Sequence, residues 1–184
     1  MFILGLIIFF GTHFFTALFR SQRTAIVTKL GEMPFKGLYA IVSLLGFGLI
    51  ILGWRQADAS LLYAPPYFLR HITYALMPIS IILLVAAYAP AGRIAPIVKH
   101  PMLAGVKVWA FAHLLANGEV RSVLLFGSFL AFGVIDRIAV KKRDVALPVR
   151  GPVRNDVIVI VIGVVVYGVI AHYLHRYIAG VALY

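Results

Sequence analysis

Six blocks of apolar residues run along the chain, each bounded by charge, proline or glycine: Phe2 to Phe19, Phe35 to Trp54, Ile72 to Tyr88, Met102 to Ala116, Val123 to Ile135 and Val157 to Tyr173. A helix needs about 20 mainly apolar residues to cross ~30 Å of hydrocarbon, so each block is a candidate span. The fourth and fifth are short and are separated only by Asn117, Gly118, Glu119, Val120 and Arg121, which also permits one buried hairpin. Continuation of the fifth block to Ile138 favours two tilted spans. The longest polar stretch, Asp136 to Asp156, holds Pro148, Gly151 and Pro152 and reads as an exposed loop. The expectation is all-α: a polytopic membrane helix bundle of about six transmembrane helices, with residues 1–184 forming a single domain. The first block has no basic residue before it and no small-x-small pattern after it, so it is not read as a cleaved signal peptide. No repeat points to the inverted halves of a transporter.

Composition agrees with this pattern. Of 184 residues, 62% are hydrophobic and only 12% charged, and the mean hydropathy is +1.00. Ordinary globular chains are roughly 45–50% apolar and about 25% charged, so a water-soluble fold would expose more apolar surface than a monomer tolerates. The net charge of +11 is explained by orientation and contact with anionic lipid rather than by nucleic acid, which is not an expected partner. The loops after the odd-numbered blocks carry Arg20, Arg23, Lys29, Lys36, Arg93, Lys99, Arg137, Lys141, Lys142, Arg143, Arg150 and Arg154. The opposite side carries Arg55, Arg70, Arg121 and Arg176. Twelve cations against four predict cytoplasmic odd loops and both termini outside. Lys107 lies within the fourth block.

Cysteine is absent, which excludes disulfides, thiolate metal sites and cysteine nucleophiles. The carboxylates Glu32, Asp58, Glu119, Asp136, Asp144 and Asp156 all read as loop or span-end residues, against a carrier built on buried acids. No HExxH, GxSxG, P-loop or GxGxxG pattern occurs. Histidine remains: His13, His71, His100, His113, His172 and His175. His13 lies toward the cytoplasmic end of the first span and His100 opens the fourth on that side. Two imidazoles on different helices, with no cysteine or carboxylate nearby, suit a bis-histidine haem better than zinc, which takes three or four protein ligands. A buried imidazole bonded to a neighbouring helix is the alternative. Arg20 lies two helical turns beyond His13 on one face, where a haem propionate would emerge. Lys107 shares a face with His100 if the helix has begun by His100, and a snorkelling lysine is its alternative. His71 and His113 are secondary candidates on the outer side, with Trp109 on the face of His113. His172 and His175 read as solvated interfacial residues.

The run from Lys99 through His100, Pro101, Gly105, Trp109, His113 and Asn117 to Gly118, continued by Leu124 to Ser128, resembles the core of the NnrU family of bacterial membrane proteins. Gly11-Thr12-His13, Gly31-Glu32, Lys36 to Tyr39, Arg70-His71 and Asp136-Arg137 also match. The resemblance implies an inner-membrane protein linked to nitrogen-oxide metabolism. It is similar to the zeta-carotene isomerase of plants and cyanobacteria, a membrane enzyme that binds haem b through two histidines and isomerises a hydrophobic polyene. Carried over, the ligands are His13 and His100, the cofactor is haem b, and the small-molecule partner is NO or a hydrophobic substrate. Position 97 is Ile97, so a cysteine that would exchange with histidine at the iron is lacking here.

Overall fold

A computed structural model describes residues 1–143, 145–181 and 183, so Asp144 lies outside the described residues. The chain is helical throughout: α1 (Phe2–Leu18), α2 (Arg20–Leu30), α3 (Glu32–Trp54), α4 (Leu69–Ala86), α5 (Ile94–Val98), α6 (Pro101–Ala116), α7 (Val120–Lys141), α8 (Val153–Val169), a π-helical turn (Ile170–Leu174) and α9 (His175–Ala179). One isolated bridge pairs Leu61 with Glu119. All six apolar blocks fall on helices, with corrections at their edges. The fifth is a 22-residue helix rather than a short one. The segment after the first, read as a loop, is the separate helix α2, bent by 95° from α1.

The helices α3, α4, α7 and the stretch from Val153 to Ala179 are long and apolar enough to cross a membrane, whereas α6 is a shorter apolar helix. Their outward faces are apolar. Ile41, Leu44 and Leu52 on α3, and Val161 and Val165 on α8, are each more than half exposed. A water-soluble fold would bury such a surface, and lipid covers it instead.

Inside the bundle, small residues let the helices approach. A Cβ on Gly46 would stand 2.7 Å from the backbone nitrogen of Phe9, and one on Gly5 would stand 2.6 Å from that of Ile50. Glycine at both positions lets α1 and α3 touch backbone to backbone, around a core of Phe2, Leu6, Phe10 and Ile50. Hydroxyls bind α4 to α6: fully buried Ser80 donates to the Gly105 carbonyl at 2.8 Å, and Thr73 to that of Ala112 at 2.8 Å. In hydrocarbon such groups must find protein partners.

Loops gather at the two ends of the bundle as their alternation predicts. At one end Arg143 reaches from the close of α7 to the carbonyl of Ala17. There too the Gly151 amide donates to Gly92, and the Asp156 carboxylate accepts the amides of Arg93 and Ile94 at 2.8–3.0 Å. At the other end the 55–68 loop ties to the α6–α7 turn: Val120 N–H donates to Ser60, Arg121 N–H to Asp58, and the Tyr63 hydroxyl to Leu114 and Asn117. The guanidinium of Arg121 covers the Trp54 ring at 4.9 Å. The end marked by Ala17, Arg93 and Arg143 is called the cationic end below.

Candidate functional site

His13 sits in the second half of α1. Its Nδ1 lies 2.7 Å from the carbonyl of Phe9, one turn back. A carbonyl only accepts, so Nδ1 carries the proton, and in the neutral ring Nε2 keeps its lone pair. Many metal-binding histidines are oriented by such a bond. The ring stacks on Phe9, 4.1 Å between centroids, and meets the edge of Phe132 at 5.5 Å and Tyr39 at 5.4 Å.

Phe132 belongs to an aromatic rail on α7. Phe126, Phe129 and Phe132 recur every third residue, and Phe9, Phe10 and Trp109 all close on Phe129 at 4.9–5.6 Å. Thus α1 and α6 meet the same face of α7. His113 holds the opposite end of the rail from His13. It stacks on Phe126 at 4.4 Å, and its Nδ1 donates to the Trp109 carbonyl at 2.9 Å. The two imidazoles are therefore held alike, about 9 Å apart along α7 at 1.5 Å per residue.

His100 is placed by its neighbours in sequence. Proline is favoured in the first turn of a helix and drives the preceding residue out of the helical region. Accordingly Pro101 opens α6, with His100 as the flanking residue at φ −134°. Before it, Lys99 has φ 67° and ψ −45°, and the His100 amide bonds back to the Val98 carbonyl at 2.8 Å. This is a γ-turn with a non-glycine centre, a strained conformation of the kind that concentrates at functional sites. The imidazole is half-buried outside the helix. Its pKa is lowered, first by burial and then by Arg137, while Asp136 opposes the shift and Lys99 adds to it.

Asp136 links the predicted residues. It acts electrostatically on His13, His100, Arg20 and Tyr39, which come from four different segments. Its carboxylate lies 3.5 Å from Arg143, both side chains about one-fifth exposed. The expectation that no carboxylate stands near His13 and His100 is therefore corrected. Asp136 lies inside α7, which continues to Lys141, and not at a span end. Asp156 does lie at a span end, in the first turn of α8, where it is buried.

The other candidates are spread along the bundle. The expectation that Arg20 shares a helix face with His13 is corrected, because α1 ends at Leu18 and Arg20 opens α2 across a 95° bend, in the combined field of Arg143, Arg23 and Asp136. Lys107 lays its stem across Gly133, where a Cβ would stand 2.7 Å from its Cγ. Trp109 is a member of the rail. His71 is exposed in the first turn of α4, 5.6 Å from Tyr67, and among the described residues no ring contact or hydrogen bond joins it to His113. His172 is exposed in the π-helical turn and His175 bonds to the Val181 carbonyl.

No three His, Asp or Glu side chains among the described residues converge as a metal site. Two clefts occur elsewhere, one of about 310 Å³ beside Phe2, Gly53 and Arg121, and one of about 530 Å³ between α4 and α8 beside Leu84, Tyr88 and Val166. Neither touches His13 or His100.

Comparison with curated proteins and with solved structures gave no match. The family comparison matches the NnrU protein family over residues 1–183. With nearly the whole chain covered, including the rail, the His-Pro opening of α6 and the His13 turn, the protein belongs to the NnrU family.

Proposed function

We propose that this NnrU-family protein is an integral haem protein of the bacterial inner membrane, with six crossings, both termini outside and its site at the cytoplasmic end. His13 and His100 would hold haem b, and Arg20 and Lys107 would supply positive charge for its propionates. The observation that carries this reading is the His13 ring, whose Nε2 lone pair is left available by the bond to Phe9 and which meets Phe132 of α7, next to the Gly133 that Lys107 of α6 crosses. A bound haem would supply an iron able to bind NO or polarise a double bond. The residues around it would exclude water through Phe9, Phe132 and Tyr39 and balance charge through Arg20 and Asp136. The role is nitrogen-oxide metabolism or cis–trans isomerisation of a hydrophobic polyene.

A second reading, a non-catalytic accessory or assembly factor without haem, is favoured by one observation. His13 and His113 both bond within their own helices and pack on phenylalanine, as structural imidazoles do.

Purification in mild detergent from haem-replete cells separates the two. The haem reading expects a b-type reduced-minus-oxidised spectrum and a positive pyridine haemochrome, each sharply reduced in His13→Ala and His100→Ala. Protein without haem overturns it. Haem retained in both variants means that other histidines hold the iron.

A further inference from the structure

Along the seam between α1 and α3, Phe2 meets Gly53, Gly5 meets Ile50 and Phe9 meets Gly46. The two helices are therefore antiparallel at one constant register. Carried on toward the cationic end, that register brings Thr12 to Ser43 and then Thr16 to Tyr39. The seam thus turns from close-packed glycine to hydroxyl groups beside His13.

Three rings wall the His13 imidazole, one each from α1, α3 and α7: Phe9, Tyr39 and Phe132. Phe9 belongs to the same helix and moves with His13, and the edge of Phe132 is apolar. Of the three, only Tyr39 has a directional group, and its hydroxyl interacts with those of Ser43 and Thr16. Ser43 lies one turn from Tyr39 on the same face of α3. Its Oγ is buried and forms no hydrogen bond of full geometry among the described residues. A buried hydroxyl left in that state is costly, so a bond within its reach is favoured.

Proton counting gives the hydroxyls an order. Each has one proton to donate and lone pairs with which to accept. Thr16 donates its proton to the His13 carbonyl at 2.9 Å, so toward Tyr39 it can only accept. Tyr39 then donates to Thr16, and its oxygen is left to accept from Ser43. Thr12 has its own proton on the Ile8 carbonyl at 2.7 Å and brings no competing donor.

We propose that Tyr39 is a positioning residue for His13. Ser43 donates to Tyr39, Tyr39 to Thr16 and Thr16 to the His13 carbonyl, a chain that fixes the phenol ring of α3 against the imidazole of α1 and holds His13 in one orientation. This inference does not depend on haem.

The full chain, made with isotope-labelled histidine in a haem-auxotrophic host starved of haem and reconstituted in phosphatidylcholine vesicles, allows the imidazole nitrogens to be read by solid-state NMR. The His13 signals are assigned by their loss in His13→Gln. Expected is one sharp pair with the proton on Nδ1. Tyr39→Phe keeps the ring and removes the hydroxyl, and should shift and broaden that pair. Thr16→Val should do the same, and the double variant should go no further than either single one. Ser43→Ala should move the same signals by releasing Tyr39, and it carries the test should Tyr39→Phe not assemble. Tyr63→Phe, which removes a hydroxyl at the far end of the bundle, should leave them unchanged. A role in packing alone would lower the thermal transition without moving the His13 signals. Signals unchanged in Tyr39→Phe or in Ser43→Ala, or additive changes in the double variant, overturn the proposal.

Discussion

Asp136 in α7 and Arg143, two residues beyond that helix, form an ion pair at 3.5 Å whose guanidinium also caps the end of α1 at the Ala17 carbonyl. One contact thus joins the close of α7 to the end of α1, the helix that carries His13. An ion pair this shielded falls between exposed pairs and fully buried ones. Asp136→Asn is expected to lower stability by about 1–2 kcal/mol, read as an earlier thermal transition in detergent. In haem-loaded protein, removing a nearby negative charge favours the reduced iron, so the midpoint potential should rise. An unchanged potential would separate Asp136 from the haem.

Gly46 sets how closely α3 can approach α1 beneath Phe9, the residue whose carbonyl orients His13. A leucine there has backbone rather than a flexible side chain in its way. Gly46→Leu is expected to cost about 1–3 kcal/mol and to reduce haem content along with stability. Gly127→Ala, where a Cβ meets nothing within 4 Å, should leave both intact. Equal effects of the two variants on thermal melting and haem content would refute close packing as the cause.

Asp156 accepts three backbone bonds from Arg93 and Ile94, 63 and 62 residues away in sequence. It therefore anchors α5, the strained Lys99 turn and His100 in succession. Asp156→Ala leaves two amides without their carboxylate, at a cost of about 1–3 kcal/mol. The freed segment should then be cut faster by trypsin at Arg93 and Lys99. Cleavage at the original rate would mean that the segment is held by other contacts.

What the sequence discloses depends on how local the cause is. The start of α6 was legible, because Pro101 is suited to a first turn and excludes His100 from the helix. The strain at Lys99 was not, since lysine has no preference for positive φ and the turn is imposed by what lies on either side. Hydropathy found the spans but missed α2, whose Arg20, Arg23 and Lys29 lower the apolar average, and whose start at Phe19 bears no proline or glycine. Asp136 was misread because the apolar block ends at Ile135 although the helix does not. The burial of Asp156 was not legible because its partners come from a distant loop. The rail was written in the spacing of Phe126, Phe129 and Phe132, a signal that gains meaning only once α1 and α6 are known to share that face.

Sidedness follows from charge only if the cations gather at one end, and three contacts join those loops: Arg143 with Ala17, Gly151 with Gly92, and Asp156 with Arg93. Since basic loops stay in the cytoplasm, a reporter fused after Lys142 should be cytoplasmic. One fused after Leu62, whose amide bonds to Gly118 at the far end, should be periplasmic. Paired alkaline phosphatase and fluorescent protein fusions read the two sides with opposite signals. The reverse pair of results would invert the bundle and put His13, His100 and Asp136 at the periplasmic face. Two fusions on one side would mean that the intervening helices do not cross, and the 16-residue α6, the shortest of the candidate spans, would be the first to reconsider.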